Sequence, residues 1–62
     1  MSIEKLRDYR KQKKISAKAV AQNIGVSIYT ISRWETRYSE IPLNMAVKYA
    51  QFIGLELKFI IQ

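Results

Sequence analysis

The chain has no cysteine and no histidine. A disulfide framework, a thiolate or imidazole metal site, a cysteine nucleophile and a histidine general base are therefore all excluded. Glycine occurs twice and proline once, and there is no glycine-rich run of the kind that cradles a phosphate. No apolar stretch approaches the ~20 residues needed to cross a bilayer. The opening residues, MSIEKLRDYRKQKK, mix charges and lack the apolar core of a secretory leader. Acidic residues number five and show no paired arrangement suited to acid–base work. These absences point away from an enzyme and lead us to expect no cofactor, no metal, no membrane and no small-molecule substrate. The expected location is the cytoplasm.

What is present suits a compact helical domain, since 48% of the 62 residues are hydrophobic. A chain of this length buries only about 60% of its unfolded surface, so self-association is the obvious source of further burial. The net charge of +6 is unevenly placed. Residues 1–37 carry nine of the eleven Lys and Arg against Glu4, Asp8 and Glu35, whereas the charges of residues 38–62 balance. A basic segment of this kind invites a polyanion, although many small basic proteins bind none.

Apolar spacing predicts four helices. Ile3, Leu6, Tyr9 and Arg10 share a face of the first, which Ser2 is placed to cap, with Lys11, Lys13 and Lys14 in its last turn. Ser16 is a suitable N-cap for a second helix, in which Ala17, Val20, Ala21 and Ile24 form an apolar stripe that stops at Gly25. Ser27 caps a third running to about Arg37. Pro42 suits the start of a fourth, in which Ala46, Tyr49, Ala50 and Ile53 align before Gly54. The ending, LELKFIIQ, alternates instead: Leu55, Leu57, Phe59 and Ile61 line one face of a strand. A lone strand leaves its backbone unpaired, so the expected remedy is the same strand from a second copy, the alternative being a frayed or helical tail docked on its own core. The expected fold class is all-α, four short helices with a central helix-turn-helix, plus a short C-terminal β-strand paired across a dimer. The expected division is a helix-turn-helix domain over 1–54 and a dimerisation strand over 55–62.

Two short helices joined through Gly25-Val26-Ser27 carry the signature of a helix-turn-helix. At about 100° per residue, Ser27, Ile31, Trp34 and Glu35 fall on one side of the third helix. Ile28, Tyr29, Ser32, Arg33 and Thr36 fall on the other. An ordinary solvated face is richer in Lys and Glu. This one suits base edges: Arg33 matches guanine O6 and N7, Ser32 bonds to several bases, and Ile28 fits a thymine methyl. Tyr29 suits a base or a phosphate. Helix N-termini attract anions, which makes Ser16, Ala17, Lys18 and Ser27 candidate phosphate contacts, with Thr36 and Arg37 beside the recognition helix. Lys11, Lys13 and Lys14 are read as solvated or as a source of long-range attraction, outside the contact set.

The pieces Tyr9-Arg10, Ile15-Ser16, Val20-Ala21, Ile24-Gly25-Val26-Ser27, Thr30-Ile31-Ser32-Arg33-Trp34-Glu35 and Ala50…Ile53-Gly54 resemble the Cro and phage-repressor (XRE-type) helix-turn-helix family. The resemblance implies base contacts from Ile28, Tyr29, Ser32 and Arg33, a phosphate contact near Ser27, and a structural pair between Arg10 and Glu35. The inward faces of those two residues agree, because a half-buried charge needs a partner. Ala17 departs from the glutamine usual there, Lys14 stands where glycine is frequent, and Thr36-Arg37 replaces a turn that commonly ends in glycine. The tail resembles those through which Cro proteins and antitoxin-type repressors dimerise. The expectation is a homodimeric repressor on a palindromic double-stranded DNA operator, associated with the nucleoid. The alternative is an antitoxin-type or adaptor module that binds a protein partner, such as a toxin, through the same fold.

Overall fold

The computed structural model describes residues 2–55. Within them the chain forms α1 (Ile3–Gln12), α2 (Ala17–Ile24), α3 (Ile28–Glu35) and α4 (Leu43–Ile53), an all-α helix-turn-helix fold. The strand expected over the tail, with Leu57, Phe59 and Ile61, lies outside the described residues. Leu55, at their edge, is non-helical and packs half-buried against the core.

The apolar stripes meet as their spacing requires. Leu6 of α1, Val20 and Ala21 of α2, Ile31 of α3, and Ala46, Tyr49 and Ala50 of α4 are buried together, with Ile24, Trp34 and Ile53 closing the cluster. The alanines at 21, 46 and 50 let backbones approach, and α2 packs on both α3 and α4. This interior fixes which face of α3 remains outside.

Local chemistry sets the helix starts. Ser16 and Ser27 sit in extended backbone, and their hydroxyls accept from the amides of Ala19 (3.0 Å) and Thr30 (3.1 Å). Ser2 occupies the same position before α1 but does not cap it: its hydroxyl donates to the Glu4 carboxylate at 2.8 Å. A charged acceptor two residues away is the better partner. That bond, helped by Glu4's own amide and by Arg37, holds the Glu4 carboxyl below its ordinary pKa. Pro42 stands one place earlier than expected, as N-cap, and α4 begins at Leu43. At the other end of α1, the helix stops at Gln12, with Lys13 as C-cap, so Lys13 and Lys14 lie beyond its last turn.

The four described helices end in one way. A residue with positive φ follows each: Lys14 (58°), Gly25 (81°), Arg37 (64°) and Gly54 (86°). The next amide then reaches back to the helix, Ile15 to Arg10 (3.1 Å), Val26 to Ala21 (3.0 Å), Tyr38 to Arg33 (2.8 Å) and Leu55 to Ala50 (2.9 Å). This satisfies carbonyls that the helix end leaves open. Glycine adopts the left-handed conformation without strain, while a side-chain-bearing residue pays roughly 1–2 kcal/mol. Replacing Lys14 by glycine is therefore expected to raise stability by about 1 kcal/mol in a urea melt. A variant less stable than the parent would contradict the strain.

Candidate nucleic-acid interface

The third helix divides its residues sharply. Ile31 (0% exposed), Trp34 (7%) and Glu35 (8%) face the interior, whereas Ile28 (45%) and Tyr29 (75%) stand in solvent beside exposed Ser32, Arg33 and Thr36. The outward residues form a ridge holding an aliphatic group, a phenol, a hydroxyl and a guanidinium. Exposed Ile and Tyr on a short, anchored helix leave apolar surface unused by the fold itself.

The ends of the motif place further groups beside that ridge. At the start of α2, Ser16 and Lys18 are exposed, but Ala17 packs half-buried against the core. Only its backbone amide is therefore available at this helix end. Ser27 is exposed, and its hydroxyl is shared between the Thr30 amide and the Thr30 hydroxyl, the latter at 3.0 Å. Thr36 donates its hydroxyl hydrogen to the Ser32 carbonyl at 2.8 Å, tightening the end of the recognition helix. Arg37 turns toward α1, where its guanidinium lies 3.1 Å from the Glu4 carboxylate. Such an exposed pair is worth little and does not commit the side chain.

Beneath the ridge lies a polar knot. Arg10 grips Glu35 with two bonds, Nε to Oε2 at 3.0 Å and Nη2 to Oε1 at 2.9 Å. Its third nitrogen donates to the Ile15 carbonyl at 2.8 Å. Tyr49, fully buried on α4, donates its hydroxyl to the Glu35 carboxylate and accepts from Arg10 Nε at 3.1 Å. Arg7 reaches the Glu35 backbone carbonyl at 3.3 Å. The end of α3 is thus tied to α1 and α4 at once. No buried side-chain polar atom among the described residues lacks a partner. Burial opposes the Arg10 charge, but Glu35's hydrogen bonds and charge outweigh it and raise the guanidinium pKa. Burial, reinforced by the Glu35 carboxylate, raises the Tyr49 hydroxyl well above its ordinary value.

Sequence reasoning placed Tyr49 in the apolar stripe and missed its hydroxyl; the signal was a tyrosine where a phenylalanine would suffice for packing. It also missed Arg7 and Glu4, whose partners lie 28 and 33 residues away. The raised Tyr49 pKa has a defined consequence. The fold favours the neutral phenol, so this contribution is complete below about pH 10 and declines as pH rises toward the folded value. Stability of the parent is expected to fall above about pH 10 more steeply than that of Tyr49→Phe. Parallel melting curves across that range would refute the assignment.

The helix-turn-helix family model matches residues 6–60, which spans all of the geometry above except the start of α1. The chain belongs to the Cro and phage-repressor (XRE-type) helix-turn-helix family, and is a DNA-binding regulator of that kind. No curated protein and no solved structure matches it. No helix among the described residues is long and apolar enough to cross a membrane.

Proposed function

We propose that the protein is a transcriptional repressor that binds a palindromic operator as a homodimer, without enzymatic activity. The observation carrying this reading is the ridge of Ile28, Tyr29, Ser32 and Arg33, exposed on a helix whose opposite face is locked by Ile31 and Trp34. In the major groove these four side chains read base edges, Arg33 by a bidentate bond to guanine. Ser16, Lys18, Ser27, Thr36, Arg37 and the Ala17 amide hold the flanking phosphates and set the register. Residues 55–62 supply the dimer contact through Leu55, Leu57, Phe59 and Ile61, leaving 1–54 as the DNA-binding domain. The dimer then carries about twice the +6 of one chain, which favours the nucleoid as its place in the cell.

Selection of bound duplexes from a random pool tests the reading. The expected product is an inverted repeat whose half-site centres lie about one helical turn apart, ~34 Å. Enrichment of a single half-site would remove the dimer, and enrichment of no motif would remove the operator.

A further inference from the structure

Four helix ends share one backbone solution, yet they do not share one residue type. Gly25 and Gly54 fill two of the left-handed positions, and Lys14 and Arg37 fill the other two. Among the described residues these are the sole non-glycine residues with positive φ, and both are cations. They also bracket the motif: Lys14 precedes the start of α2 by three residues, and Arg37 follows the end of α3 by two. Glycine is the less costly occupant at either place, so the chain forgoes stability at the two ends of the unit that meets the nucleic acid.

The surroundings are consistent in charge. No acidic residue occurs between Asp8 and Glu35. The ion pairs among the described residues all use arginine, and none engages Lys11, Lys13, Lys14 or Lys18. Lys14 is exposed, and its position is held on both sides: its own amide donates to Lys11 at 3.0 Å, and the next carbonyl, of Ile15, accepts from buried Arg10. Arg37 is likewise fixed at the backbone, its amide donating to Trp34 at 3.1 Å.

We infer that Lys14 and Arg37 are a two-point clamp on the phosphodiester backbone of the bound duplex, one cation at each end of the helix-turn-helix. The helix preceding the recognition helix crosses the backbone when such a motif docks, which brings the turn before α2 to the phosphates. Arg37 exchanges its exposed Glu4 partner for a phosphate on binding. The inference rests on the DNA-binding reading above and adds Lys14 to its phosphate contacts. The clamp holds register and carries no base preference.

The test pairs thermal melting with titration of one duplex from the selected pool over a range of salt. Lys14→Gly and Arg37→Gly are each expected to melt about 4–8 °C higher than the parent. Each is also expected to bind roughly two- to fivefold more weakly per half-site, the scale of one exposed ion pair, and so about four- to 25-fold more weakly as the dimer. The slope of log affinity against log salt should shrink by about 0.9 per half-site, about 1.8 for the dimer, equally on selected and unrelated duplexes. Lys14→Asn, which tolerates the left-handed backbone without charge, is expected to bind as Lys14→Gly does, and Lys14→Arg as the parent does. Lys11→Gln is the control and is expected to leave the slope unchanged. Unchanged affinity and slope in the glycine variants would overturn the clamp, as would an equal loss in Lys11→Gln, which would mean a diffuse field. Glycine variants that gain no stability would overturn it too. If the parent itself binds no duplex, the functional reading fails instead of the clamp.

Discussion

Arg10→Met is expected to cost about 3–5 kcal/mol, a large share of the whole stability of the domain. The Glu35 carboxylate is 90% enclosed, with its side chain only 10% exposed, and it takes two of its hydrogen bonds from Arg10. Methionine fills similar space but donates nothing, leaving a buried charge with Tyr49 alone. Against this, a 62-residue domain holds a total stability of only ~3–9 kcal/mol. Loss of the grip on Glu35 also leaves the end of α3 held to α1 by the weaker Arg7 contact to the Glu35 carbonyl and the exposed Arg37–Glu4 pair, so the ridge loses much of its support. The companion result separates a lost partner from lost packing. Arg10→Met combined with Glu35→Leu and Tyr49→Phe removes every member of the knot and is expected to recover most of the deficit, because no charge is then stranded. A urea melt of the single variant showing a loss below about 1 kcal/mol would contradict the buried geometry.

The knot also marks where the sequence stops being readable. The stripes of Ala17, Val20, Ala21 and Ile24 and of Ala46, Tyr49, Ala50 and Ile53 are local patterns, and periodicity alone locates them. The caps at Ser16 and Ser27 are equally local, since each hydroxyl meets an amide three residues on. Ser2 looks the same in sequence, but the competing Glu4 carboxylate draws its hydroxyl away, and that competition is decided in space. Tyr49's hydroxyl meets Arg10 and Glu35 only because α1, α3 and α4 converge, with 39 and 14 residues between the partners. Thr36-Arg37 and Lys14 stand out in sequence as departures from glycine. That the backbone keeps the left-handed turn despite the substitution is visible only in the dihedral angles. The outward ridge was legible for the opposite reason. On a helix of eight residues, Ile31 and Trp34 are large enough to settle which side faces in, and the other side follows by rotation.

That ridge sets the second large effect. Arg33→Ala is expected to weaken binding to the selected operator by about 1–3 kcal/mol per half-site, roughly five- to 150-fold, and to relax the preference at one base pair in each half. Arg33 is exposed on the same face as Ile28, Tyr29 and Ser32, and no ion pair among the described residues restrains it. Its guanidinium is free to present two parallel donors to guanine, a geometry that lysine cannot reproduce. The stability of the variant should stay within about 0.5 kcal/mol of the parent, because an exposed helical arginine replaced by alanine gives up no burial. Titration against the operator and against a duplex altered at the affected position measures both parts. Base readout predicts that the two duplexes converge in affinity while binding to unrelated DNA and its salt slope barely change. An equal loss on every duplex, accompanied by a shallower salt slope, would assign Arg33 to the phosphate backbone and leave base recognition to Ile28, Tyr29 and Ser32.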